Sequence, residues 1–325
     1  MTYATVENLT PDQIPVIDIE TLFSDHPDYA GVGAALKQAA EVVGFFYVRG
    51  HCIQPKLVES TFELSKQFFA LPQQQKLSVR AEGYHRGLLP LGDAKMEGQA
   101  NSDLKESFIW GVDFDHDNPE FAAGNELMPP NRWPAFLPEM RNTLGEYMRA
   151  AHDCGIQLLR AIAASLEIER DYFVGRFERP ISRGSLIHYP PQPPTMGKDQ
   201  FGVSPHTDYG TMTLLAQDST GGLRVKGVEG NWLTAHPIEG TIVVNVGDLL
   251  ARWSNDRFRS TPHSVVNASG KERYSIAIAL DPDWDTLIRP VVTEGESSHY
   301  GDVLCGDYIR GRFDRSFSYR QPTLS

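Results

Sequence analysis

After Arg183 the chain breaks into short runs of β-branched and apolar residues cut by Gly, Pro, Asn and Asp, and this texture constrains the fold more than any other feature. Residues 185–189, 211–217, 223–226, 241–246, 264–266 and 274–280 are each of strand length, with turn signals such as Gly221-Gly222 and Glu229-Gly230-Asn231 between them. Strands alternating with helices would build a parallel, doubly wound sheet. Consecutive short strands instead predict an antiparallel sandwich or barrel.

The first half reads mainly as helix. Residues 31–43 place Val32, Leu36, Ala39 and Val43 three to four apart, with Gly44 positioned to stop the helix. The compact apolar run Phe45-Phe46-Tyr47-Val48 then suits a buried strand. A second helix is expected to start with Pro55 in its first turn and to end near Leu71-Pro72. A third spans about residues 139–166 with Leu144, Met148, Leu158, Leu159 and Ile162 as its core positions, and a last one covers about 307–316. No repeat or long linker separates the two halves, so they are expected to pack as one unit.

Composition narrows the partners. Of 325 residues, 41% are hydrophobic and 22% charged, which is ordinary globular composition. Lys plus Arg total 30 against 42 Asp plus Glu, a formal net charge of −12 that repels phosphate backbones and anionic lipid. Nucleic acid and membrane are therefore not expected as partners. Cys52, Cys154 and Cys305 are odd in number and form no CxxC, which suggests neither a disulfide framework nor a thiolate zinc site. The first residues lack a basic region followed by an apolar stretch, and no window approaches 18 apolar residues. A soluble cytoplasmic protein is the expectation, with oligomeric state left open.

Three residues suggest chemistry. His206-Thr207-Asp208 precedes the strand expected at 211–217, and in extended backbone residues two apart share a face, so one imidazole and one carboxylate converge. His263, 55 positions beyond Asp208, lies on a separate strand edge. Two imidazoles and one carboxylate on one face of an octahedron leave three positions open, as non-haem iron(II) requires. An HxD pair alone is weak; its context strengthens it. Ten residues after His263 comes Arg273-Tyr274-Ser275, whose guanidinium and hydroxyl share a face and together suit a carboxylate.

With these segments in view, the sequence resembles the 2-oxoglutarate- and iron(II)-dependent dioxygenases of the isopenicillin N synthase-like family. The resemblance rests on His206-Thr207-Asp208, Gly247-Asp248-Leu249-Leu250, Trp253-Ser254-Asn255, Ser260-Thr261-Pro262-His263, Arg273-Tyr274-Ser275 and Tyr189-Pro190-Pro191. Ile14-Pro15-Val16-Ile17-Asp18, Gly44 to Val48 and Lys105-Glu106-Ser107-Phe108 resemble the family's N-terminal region, so the likeness runs from about Ile14 to Phe317. It implies a mixed α/β (α+β) fold whose core is a distorted double-stranded β-helix, or jelly roll, with flanking N- and C-terminal helices. On that reading residues 1–175 are the mainly helical region, 176–295 the iron- and 2-oxoglutarate-binding core and 296–325 a C-terminal helical segment. All three form one compact unit.

The resemblance also implies roles. Iron(II) falls to His206, Asp208 and His263; 2-oxoglutarate, as co-substrate with O2, falls to Arg273, Ser275 and Tyr189, with release of succinate and CO2 as a small molecule is oxidised. Plant members often carry Asn where this chain has Ile187, which removes one polar contact to the co-substrate. Asp208 disfavours halogenation, because related halogenases lack that carboxylate. Family geometry puts substrate candidates at Tyr84, Arg86, Phe108 and Arg252. Two rival readings stand beside this one: an oxidase of the same family that does without 2-oxoglutarate, and a non-catalytic jelly-roll protein that only binds a metal or ligand. No GxGxxG, P-loop, HExxH or GxSxG segment supports another enzyme class.

Overall fold

A computed structural model describes residues 13–93, 102–113, 118–192 and 201–316. The N-terminal residues read above for a leader, and the end of the C-terminal segment including Phe317, lie outside them. Twelve strands build two facing sheets: β1 (Val16–Asp18), β2 (Phe45–Arg49), β3 (Gly87–Leu89), β4 (Glu106–Gly111), β5 (Arg183–Tyr189), β6 (Val203–His206), β7 (Met212–Gln217), β8 (Leu223–Lys226), β9 (Trp232–Thr234), β10 (Ile242–Val246), β11 (His263–Val265) and β12 (Arg273–Leu280). The major sheet runs β1-β2-β10-β7-β12-β5-β4-β3 and the minor sheet β6-β11-β8-β9. Apart from the parallel β1–β2 pair, their ladders are antiparallel. This is the distorted jelly roll expected.

The helices are α1 (Tyr29–Val42), α2 (Pro55–Phe69), α3 (Gln73–Leu77), α4 (Pro119–Ala122), α5 (Glu139–Ser165), α6 (Asp248–Trp253) and α7 (Cys305–Ser316). Local chemistry sets their ends. The Asp28 carboxylate accepts from the Gly31 N–H at 2.8 Å and caps α1, while Pro55, which has no N–H to leave unpaired, opens α2. Gly44 ends α1 with φ +71°, and a Cβ there would meet the Arg259 carbonyl at 2.1 Å. Helix α5 buries Met140, Leu144, Met148, Ala151, Leu158, Leu159 and Ile162, a stripe at helical spacing.

The period of two along each major-sheet strand divides the core. Ile276, Ile278 and Leu280 of β12, Leu214 and Ala216 of β7, Val244 of β10 and Phe46 and Val48 of β2 join the large cluster under the helices. Val243, Phe45, Tyr47 and Tyr189 point the other way and meet Val203, Leu223, Val225 and Val265 of the minor sheet. The interior between the sheets is thus walled by a second, smaller cluster.

Two expectations change. The first half contributes four strands to the major sheet, of which only β2 is legible as a strand; β4 is buried at all six positions, so it shows no alternation for a period-two test to find. Helix α6 interrupts the β series between β10 and β11, a six-residue element too short to give a periodic signal.

Candidate active site

His206 closes β6 and His263 opens β11, and antiparallel register puts them opposite each other. Asp208 lies in the loop between β6 and β7. The HxD pair precedes β7, as the sequence suggests, but of the two residues only the histidine is in a strand. Among the described residues these three side chains have donor atoms within 4.8 Å of one another. Both imidazole Nε2 atoms stand 3.7 Å from Asp208 Oδ1.

Neighbouring groups fix which atoms face inward. His206 Nδ1 lies 2.8 Å from the Ser204 carbonyl and His263 Nδ1 lies 3.2 Å from the Thr261 carbonyl. Carbonyls only accept, so each proton belongs on Nδ1 and each Nε2 lone pair is free, the usual support of a metal-binding histidine. Thr213 Oγ1 at 2.5 Å and Asn245 Nδ2 at 2.8 Å donate to Asp208 Oδ2, leaving Oδ1 for the centre. Burial, followed by the His263 charge, lowers His206 to about 3. Burial would raise Asp208, but the two imidazoles and the Thr213 and Asn245 bonds outweigh it and lower the carboxyl to about 2. Neutral imidazoles and an ionised carboxylate are the forms that ligate a cation, so the donor set fits iron(II).

The loop is braced from behind. Asp248 accepts from Ser260 at 2.6 Å and Thr207 at 3.2 Å, and its own N–H donates to the Asp208 carbonyl at 2.7 Å. Arg312 of α7 lies 3.3 Å from Asp248 and stacks 4.3 Å over the Tyr209 ring. Helix α7 thereby holds the segment carrying Asp208.

Arg273 and Ser275 also meet. Arg273, 1% exposed, directs Nη1 to Ser275 Oγ at 3.3 Å, Nη2 to Gln217 Oε1 at 3.2 Å and Nε to the Gly221 carbonyl at 2.6 Å. Its guanidinium lies 4.6 Å over the Tyr189 ring, directly across the ladder, so Tyr189 is a platform for Arg273.

The four substrate candidates do not join this group. Phe108 is fully buried on the helix-covered side against Phe68 and Trp133. Arg86, 2% exposed, donates to the carbonyls of His85 and Leu127 and lies against Gly111, an anchor for the β3–β4 region. Tyr84 is exposed and edge-on to Phe121, and Arg252 stacks over Tyr300 and donates to the Gly301 carbonyl. Periodicity gave no sign of which face each would take. The residues that do support the site, Thr213, Asn245 and Gln217, were legible only as polar positions in otherwise apolar strands.

Comparison with known proteins identifies the class. Residues 14–136 match the family described as non-haem dioxygenase in morphine synthesis N-terminal, and residues 181–282 match the 2OG-Fe(II) oxygenase superfamily. A 2-oxoglutarate-Fe(II) type oxidoreductase of Emericella nidulans, hxnY, is 32% identical over 320 residues, covering 95% of this chain and 92% of the relative. A full-length Neurospora crassa protein, solved in complex with alpha-KG, superposes with a TM-score of 0.82 at 33% identity, covering 94% of this chain and 97% of that one. JOX2 in complex with 2OG, Fe and JA superposes with a TM-score of 0.77 at 26% identity over 96% of this chain and 89% of that one. The chain belongs to the 2OG-Fe(II) oxygenase superfamily. It is an enzyme that uses iron(II), 2-oxoglutarate and O2 to oxidise a small molecule.

Proposed function

We propose that His206, Asp208 and His263 hold the iron(II) ion and that Arg273 and Ser275 receive the distal carboxylate of 2-oxoglutarate, with Tyr189 keeping Arg273 in place. The observation that carries this is the prior orientation of the donors: each histidine is bonded through Nδ1 and the aspartate through Oδ2, so the remaining atoms converge on one point. When bound, iron and 2-oxoglutarate supply the oxidising chemistry, in which O2 is consumed, succinate and CO2 are released and the substrate is oxidised. The chain's own task is positioning. Ala277 and Ala279, half-buried on the inner face of β12, leave room between the anion clamp and the ligand cluster.

We read residues 1–175, 176–295 and 296–325 as parts of one compact unit, because a single apolar cluster runs from Ile17 through Leu158 to Phe313. We further read the protein as cytoplasmic, with neither nucleic acid nor membrane as partner. The −12 charge opposes both, the cysteines are free, and no described helix is long and apolar enough to cross a membrane.

Anaerobic addition of iron(II) and 2-oxoglutarate should give a weak visible charge-transfer band, and its absence in the wild-type protein would sink the assignment. Arg273→Gln should raise the 2-oxoglutarate concentration for half-saturation roughly 10- to 100-fold, since a hydrogen bond to a charged group contributes about 1.5–3 kcal/mol. Succinate release on turnover should accompany substrate oxidation.

A further inference from the structure

Two of the three cysteines, far apart in the chain, meet in the fold. Cys52 lies half-buried in the turn between β2 and α2, and its thiol donates to the Ala150 carbonyl of α5 at 3.7 Å. Cys154 stands one helical turn beyond Ala150, and a helical side chain leans back over the turn that precedes it, so its sulfur is directed to the same place. The two thiols are hydrogen-bonded to each other. A chain of donors results, from the Cys154 S–H to the Cys52 sulfur and from the Cys52 S–H to the Ala150 oxygen. Both cysteines pack in the large apolar cluster under the helices, apart from the cluster between the sheets.

The two sulfurs are unequal, and the inequality sets an order of reaction. Cys154 has no exposed surface, whereas Cys52 is only half-buried. The hydrogen bond from Cys154 outweighs burial and the Asp153 charge and holds the Cys52 thiol below its ordinary range; the same bond, with burial, pushes Cys154 well above it. A thiolate, not a thiol, attacks an oxidant, so Cys52 reacts first and Cys154 follows. Cys52 also sits outside any helix or strand, so it, and not α5, can supply the closer approach that an S–S bond needs. Cys305, fully buried and with its thiol pushed up by burial, is the inert member of the three.

We propose that Cys52 and Cys154 form a peroxide-responsive modification site, which closes reversibly to an intramolecular disulfide and ties the β2–α2 turn to α5. Hydrogen peroxide, which arises where iron(II) meets O2, is the oxidant. The Cys52 sulfur attacks one peroxide oxygen: an S–O bond forms, the O–O bond breaks, and the second oxygen leaves with the thiol proton as water. The Cys154 sulfur then attacks the Cys52 sulfur: an S–S bond forms, the S–O bond breaks, and that oxygen leaves with the Cys154 proton as water. The two thiols give up two electrons and two protons, and the peroxide takes them. The link closes a loop of about 100 residues, so it constrains the unfolded chain and stabilises the oxidised protein.

The full chain, freed of iron so that peroxide meets only the protein, is treated with hydrogen peroxide, denatured, alkylated with iodoacetamide and mapped by peptide mass spectrometry. Untreated protein should be alkylated at all three cysteines. Treated protein should be alkylated at Cys305 alone, with the Cys52 and Cys154 peptides joined, and dithiothreitol should restore all three sites. Cys154→Ser should stop at the Cys52 sulfenic acid, trapped by dimedone, which the wild type should barely accumulate. The oxidised wild type should unfold at a higher urea concentration than the reduced one, and dithiothreitol should reverse the gain. Sulfinic acid at Cys52 with Cys154 still alkylated, a disulfide between two chains, or no loss of alkylation under peroxide overturns the proposal without any variant having to fold. An unchanged or lower urea midpoint overturns the stabilising role of the link.

Discussion

Along β12 the side chains of Arg273, Ser275, Ala277 and Ala279 face the minor sheet, while those of Tyr274, Ile276, Ile278 and Leu280 face the helices. The helix side is filled: Ile276 and Ile278 have no exposed surface, and α2 and α5 pack across them. The inner side keeps methyl-sized residues beyond Arg273 and stays partly open. The difference teaches that one strand can serve stability and chemistry separately, because successive side chains project to opposite faces. Strands buried on one face can then afford polar and small residues on the other.

Substitutions on the two faces should separate these roles, and the largest effect belongs to the inner one. Asp208→Ala should lower succinate formation by about 10³-fold or more, roughly 4 kcal/mol of barrier, and abolish the charge-transfer band while the metal-free protein still unfolds cooperatively. Retained turnover would break the comparison at its inner side. Ile278→Ala should do the reverse, costing roughly 2–5 kcal/mol of stability by denaturant midpoint. The band should persist at unchanged 2-oxoglutarate affinity under native conditions; weaker affinity would mean that the two faces are coupled.

The smallest effect concerns acid stability on the helix side. His152 on α5, beside Phe177, has its pKa lowered by burial, partly offset by Asp153. The unfolded chain, with an ordinary value of 6.5, then binds a proton that the folded chain resists. Stabilisation from this group is complete above that value and is lost as pH falls toward the lowered one. Metal-free His152→Gln should therefore lose less melting temperature between pH 7 and 5.5 than the wild type. An equal or larger loss would place the acid sensitivity elsewhere.

Much of the architecture was legible because it is local. Helical spacing marked α1, α2 and α5, and runs of β-branched residues between turn signals marked β5, β7, β8, β10, β11 and β12. Strands β1 and β3 are three residues long, and β4 lacks alternation, so nothing local distinguished them. The candidate ligands divide the same way. HxD and RxS are short spacings that sequence displays, whereas Phe108 and Arg86 looked equally able to line a pocket or a core, and their faces depended on ladders with other strands.

The sequence by itself determined the inventory: two imidazoles and a carboxylate, a guanidinium with a hydroxyl two residues on, and enough strand-forming runs to enclose them. Tertiary structure decided the encounters. Only the β6–β11 register sets His206 opposite His263, and only β7 and β10 bring Thr213 and Asn245 to the free side of Asp208. Only the β5–β12 ladder brings Arg183 beside Asp281. The physical reason is that spacing along a chain fixes direction over a few residues, whereas contacts between strands distant in sequence depend on how the whole core packs.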